Sequence, residues 1–136
     1  MAVSHSEQVE AICPYCETPF STEAWTIVDV WERPDLAVRL QQGLLHITFC
    51  PHCQKRVAVD TPLLVYRLYK DPPFLLSMPD DTSEEDARAH AAVLLGRLRE
   101  ALGKDWKPSW LDHQYETIDR VEVRVLLNLD LILLIR

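Results

Sequence analysis

Every cysteine in the chain lies in one of two Cys-Pro-x-Cys motifs, Cys13-Pro14-Tyr15-Cys16 and Cys50-Pro51-His52-Cys53. Thiolate sulfur is a soft donor, and a four-residue turn brings both of its sulfurs to one ion. Two such turns supply four ligands, the full shell of a tetrahedral structural zinc site. Proline in the second place fixes φ and stiffens each turn. The spacing therefore predicts one structural Zn2+ held by Cys13, Cys16, Cys50 and Cys53. Four protein ligands leave no open position for a catalytic water. His52 sits inside the second motif and could reach the ion only by displacing a sulfur, so its ring is expected to point outward or to bond nearby.

The same tetrapeptides can do redox chemistry, where a thiolate is stabilised at the N-terminus of a helix that follows directly. The flanks oppose that here. Glu17-Thr18-Pro19-Phe20 follows the first motif and reads as a turn, while Gln54-Lys55-Arg56-Val57-Ala58-Val59 follows the second and reads as strand. A thiol-disulfide oxidoreductase is thus the weakest of the readings.

The elements that must position these thiols can be read from periodicity. Trp25–Trp31 alternates as a strand, with Trp25, Ile27, Asp29 and Trp31 on one face and Thr26, Val28 and Val30 on the other. Pro34 and Asp35 open a short helix over Leu36–Gln42, and Gly43 is placed to end it in a left-handed conformation. Leu45, Ile47 and Phe49 alternate into the second motif, and Val57 and Val59 alternate out of it, giving a hairpin with cysteines at its tip. This explains why 33 residues separate Cys16 from Cys50, roughly twice the spacing of a simple ribbon. Leu63–Tyr69 and Phe74–Met78 follow as strands. Thr82 with Glu85 fits a capping box for a long helix, Ser83–Leu102, whose apolar stripe is Ala87, Ala91, Leu94, Leu95, Leu98 and Leu102. Gly103 ends it. Lys107–Tyr115 reads as loop. Asp119–Leu127 suits strand and helix equally, and Leu129–Ile135 alternates as an apolar strand.

Composition bounds the rest. The chain has 136 residues and a formal charge of −7. Four thiolates around one Zn2+ would take this to about −9. Such a balance repels phosphate backbones. Arg33, Arg39, Lys55, Arg56, Arg67 and Lys70 gather in the first half without forming a run, which leaves a nucleic-acid-binding ribbon as the alternative function. Trp25, Trp31, Trp106 and Trp110 are expected to seal the core. No nucleotide-binding or hydrolase motif is present, and neither His90 nor the neighbouring Asp112 and His113 forms a catalytic set. The N-terminus has no basic and apolar leader, and the C-terminal run falls short of the about 20 apolar residues that span a bilayer. Cytoplasmic location follows as the expectation, and in a reducing compartment paired cysteines favour metal over disulfide.

The chain resembles the CpXC family of small prokaryotic proteins. The resemblance rests on Cys13-Pro14-Tyr15-Cys16 with Phe20 soon after, Pro34-Asp35-Leu36 through Gly43, Phe49-Cys50-Pro51-His52-Cys53, and Pro62-Leu63-Leu64-Val65-Tyr66. It covers about residues 8–80 best. It implies zinc binding through the four cysteines and carries no activity with it. Glu17 and Gln54 stand where glycine often follows the second cysteine of such a turn.

Together these readings give an α+β chain: a zinc-ribbon-like knuckle hairpin joined to a small, mainly antiparallel sheet packed by one long helix. A single CpXC-type domain is expected over 1–136, with the knuckle module in 8–60 and the sheet and helix portion in 61–136. The expected function is a non-catalytic, zinc-stabilised protein-interaction module. Its partner would be another protein or a second copy, docked through the apolar strand Leu129–Ile135.

Overall fold

The computed structural model describes residues 2–135 apart from Tyr69, Asp71, Pro72 and 113–116. His113, the neighbour of Asp112 in that pair, therefore lies outside the described residues. Strand β1 (His5–Ile12) is followed by β2 (Pro19–Asp29), helix α1 (Pro34–Gln41), β3 (Ile47–Phe49), β4 (Arg56–Ala58), β5 (Leu63–Tyr66), β6 (Phe74–Ser77), α2 (Glu84–Leu102) and α3 (Arg120–Ile135). Two short 3-10 turns, Gly103–Asp105 and Pro108–Asp112, connect α2 towards α3.

A four-stranded sheet runs in the order β1-β2-β5-β6, and β3 and β4 form a separate two-stranded ribbon. Antiparallel pairing joins β1 to β2 and β5 to β6, while β2 and β5 are parallel. The fold is α+β with a mainly antiparallel sheet, as the sequence predicts.

Strand β5 shows why the sheet is buried on both faces. All four of its residues are buried. Leu63 and Val65 join Val28, Val30 and Leu75 under α1 and α3, where Leu36, Ala37, Leu40, Val123 and Leu127 complete the layer. Leu64 and Tyr66 face the other way, with Ile27, Phe74, Leu76, and Leu94 and Leu98 of α2. Strict alternation of side chains across the pleat sends successive residues to opposite helical layers. Trp106 and Trp110 extend the second layer, with Trp110 edge-on to Phe74 at 5.0 Å and Trp106 stacked on Phe74 at 5.6 Å. These two tryptophans seal core, as expected; Trp31 does not and is half exposed.

Helix α2 forms where capping and stripe both demand it. Ser83 is its N-cap, its Oγ accepting from the Asp86 N–H at 3.1 Å. This is one residue later than the Thr82 cap expected; the Thr82 hydroxyl instead donates to the Pro79 carbonyl at 2.6 Å. Helix α1 ends as predicted, with Gly43 at φ 77. The positive φ favours glycine, and a Cβ there would also lie a tight 3.1 Å from the Arg124 guanidinium carbon.

Three findings correct or extend what the sequence predicts. Trp25 packs with Val28 and Val30 and not with Ile27. The cause is an irregularity in the β1–β2 register, where His5 faces Ile27 but Ser6 faces Trp25. The extra residue, Thr26, bulges and reverses the phase of the strand. Second, the N-terminal residues before the first cysteine motif are a full strand, β1, held by pairing with β2 from His5 to Ile12. Third, the C-terminal segment is not strand. Asp119–Leu127 becomes helix from Arg120, and Leu129–Ile135 continues the same helix. Asp119 caps it, with Oδ1 accepting from the Glu122 N–H at 2.7 Å. A helix satisfies its backbone within itself, whereas an apolar strand at this place would need a neighbour for every residue. The signal in the sequence was Asp119 followed three residues on by Glu122, a helix-start pattern.

Candidate metal centre

The two cysteine turns are local replicas. In the first, the Cys13 N–H donates to the Thr18 carbonyl at 3.1 Å and the Glu17 N–H to the Cys13 carbonyl at 2.9 Å. In the second, the Cys50 N–H donates to the Lys55 carbonyl at 3.0 Å and the Gln54 N–H to the Cys50 carbonyl at 2.8 Å. Glu17 and Gln54 both adopt the left-handed region, at φ 60 and φ 62. This is the position where glycine is cheaper, and both residues tolerate it at some backbone cost. The turns close without glycine, so the geometry is set by the hydrogen bonds and the sulfurs.

The first turn hangs between β1 and β2, the second between β3 and β4. A small apolar cluster of Phe20 and Val57, with Ala11 beside them, supports Cys13 and Cys50 from beneath. Each turn thus buries its first cysteine completely, while Cys16 is exposed and Cys53 half-buried at the rim. The Thr22 and Thr48 hydroxyls, 3.2 Å apart, link β2 to β3 behind the site.

All four sulfurs lie within 4.8 Å of one another. Between the turns, the Cys13 and Cys53 sulfurs and the Cys16 and Cys50 sulfurs are each 3.6 Å apart. A disulfide needs about 2.05 Å, so no pair is bonded. A tetrahedron with metal–sulfur bonds of about 2.3 Å has edges of about 3.8 Å. The donor set and its spacing fit a thiophilic ion, and the four cysteines could hold one. The His52 amide lies 3.4 Å from the Cys50 sulfur, while its residue is exposed. Its backbone, and not its imidazole, serves the site.

The thiols are unequal. Hydrogen bonds from the Thr18 side chain and backbone draw Cys16 down to about 6. At Cys53 the Lys55 amide lowers the pKa, but burial and the neighbouring thiols of Cys13, Cys16 and Cys50 outweigh it and push the group up to about 11. Four thiolates this close repel one another. A divalent cation at their centre would allow all four to ionise together. Neither motif opens a helix, since β2 begins at Pro19 and β4 at Arg56. The thiolate-stabilising helix terminus of a dithiol oxidoreductase is missing from both turns.

The profile of the CpXC family, described as CpXC protein, matches residues 12–131. The chain belongs to the CpXC family. The match takes in both cysteine turns, the whole sheet from β2 onward and most of α3, and runs well past residue 80, where the clearest resemblance in the sequence ends. No curated protein matches the chain. No solved structure matches it either. Among the described residues of this CpXC protein, no helix is long and apolar enough to cross a membrane.

Sequence reasoning missed a second polar centre. Arg120 at the start of α3 reaches Ser77, His46 and Thr61 beneath the ribbon. These residues are far apart in the chain and form no motif, so only the fold brings them together.

Proposed function

We propose that this CpXC protein is a non-catalytic interaction module built around one structural zinc ion. Cys13, Cys16, Cys50 and Cys53 would hold the ion in a shell of four sulfurs that leaves no site for substrate. Its work is to clamp the tip of the β1–β2 hairpin to the β3–β4 ribbon. A reducing cytoplasm, where thiols stay available to metal, suits that chemistry.

One observation carries the interaction reading. Helix α3 buries Val123 and Leu127 against the sheet, yet Val121, Val125 and Leu129 on its other side are 66%, 54% and 54% exposed. These residues are spaced by four and form one stripe. A helix that is apolar on both sides is ordinarily covered on both. The docking element is thus a helix, where the sequence suggested a strand. A stripe on one straight helix can pair with itself about a twofold axis, so a second copy is the occupant we propose. Sedimentation over a wide concentration range should show a dimer for the wild type. The double variant Val125→Glu with Leu129→Glu should stay folded and monomeric. A wild type that is monomeric throughout would contradict this docking.

A second reading has one observation in its favour. Around the two cysteine turns the Lys55 ammonium sits 4.8 Å from the Tyr15 ring centre and the Arg56 guanidinium 6.0 Å from that of Phe49. Both rings are exposed, at 60% and 61%. Rings beside cations are how single-stranded nucleic acid is gripped. The charge of −7 opposes this. Salt-sensitive binding to single-stranded DNA or RNA would favour it over the protein-docking reading.

A further inference from the structure

His46 stands where the ribbon, the sheet and α3 meet. Its Nε2 lies 2.7 Å from the Trp25 carbonyl oxygen of β2. A carbonyl only accepts, so Nε2 carries the proton. Its Nδ1 lies 2.8 Å from Arg120 Nη1. A guanidinium only donates, so Nδ1 is bare. The two contacts together select one species, the neutral ring protonated on Nε2.

A proton added to Nδ1 would set donor against donor and cation against cation. Arg120 has little room to yield. Its Nε donates to Ser77 Oγ of β6 at 3.1 Å, and its Nη2 donates to the Thr61 carbonyl at 2.8 Å. Ser77 is fully buried, and the Arg120 side chain is only 26% exposed. The same residues fix the entry to α3, where the Ile118 N–H donates to the Leu76 carbonyl at 2.8 Å.

We propose that His46 and Arg120 form an acid-sensitive latch, closed by neutral His46, that holds the C-terminal helix against the sheet and the cysteine ribbon. The charged groups that act on His46 are Arg120 from α3 and Asp60 from the segment after β4. Against β2 it meets a backbone carbonyl. Burial is the largest effect and lowers its pKa; Arg120 lowers it further, and the Trp25 contact and Asp60 oppose them without prevailing. Arg120 in turn faces Asp60, with Nη2 3.9 Å from Oδ1, and feels Asp80.

The sign follows from linkage. In the unfolded chain His46 takes up a proton near its ordinary value of 6.5, while in the folded chain it resists. Its contribution to stability is complete above that value and is lost as pH falls from there towards the lower folded value. Over that window the unfolding equilibrium constant rises by up to about tenfold per pH unit.

The test is urea unfolding of the full chain from about pH 7.5 to 5, with the wild type compared to His46→Gln. A glutamine amide can donate to Trp25 and accept from Arg120, but cannot titrate. The variant should fold and lack the histidine-dependent slope, while ligand protonation at the cysteines affects both proteins alike. Protection factors of the α3 amides, taken relative to intrinsic exchange at each pH, should fall on acidification in the wild type before those of β5 do. Nitrogen NMR of the wild type gives an independent readout, with His46 expected as the Nε2-protonated neutral tautomer, titrating below its ordinary value. Equal slopes for the two proteins, or a His46 that titrates at or above its ordinary value, would overturn the latch. If His46→Gln does not fold, the NMR titration alone decides.

Discussion

Replacing Cys50 with Ser should release the metal and melt the ribbon. Cys50 is fully buried, lies 3.6 Å from the Cys16 sulfur, and accepts the His52 amide. A hydroxyl is a far poorer ligand than a thiolate for zinc. Zinc binding to small structural sites is worth on the order of 10 kcal/mol in apparent free energy, and here it would join two hairpins whose own apolar cluster is small. The melting temperature should fall by on the order of 10 °C or more. Loss should be local first. The two larger core layers, on either side of the sheet, share no buried residue with the ribbon cluster. Helicity from α2 should therefore outlast ribbon structure, and amide exchange should show β3 and β4 opening before β5. Chelation should do the same to the wild type. An unchanged melting curve after verified metal removal would contradict this account of the site.

Leu127→Ala should destabilise the chain by about 2–5 kcal/mol, whereas Leu129→Ala in dilute protein should change stability by no more than about 0.5 kcal/mol. The contrast depends on α3 being a helix. Leu127 is fully buried beside Val123, four residues away, while Leu129 faces out. On a strand, residues two apart share a face, and the two substitutions would cost alike. Urea unfolding of both variants separates the cases. Equal large losses would restore the strand.

What could be read in the sequence was local. The clustering of Cys13, Cys16, Cys50 and Cys53 is carried by two four-residue turns, each of which specifies itself. Helix α2 has its acids, cap and stripe within one segment, so only the cap was misplaced, by one residue. Strand β5 announces burial on both faces because every residue from Leu63 to Tyr66 is apolar.

What could not be read depended on partners distant in sequence. Strand β1 carries few apolar residues, and its conformation comes from eight residues of pairing with β2. The phase of Trp25 was lost at a bulge, which no periodicity reveals. In α3, valines and leucines at every second position also fall at helical spacings, so the two periods coincide and the Asp119 cap decides. Arg120 and His46 are 74 residues apart. Their contact has no signature except the fold.

The central claim is that four cysteines hold one structural zinc ion. Metal analysis of protein purified without added metal, combined with a count of reactive thiols, tests it most directly. The account predicts one zinc per chain, with the four thiols unreactive until a chelator is added. A folded, metal-free chain with freely titrating thiols, or a chain that carries a different metal, would contradict it.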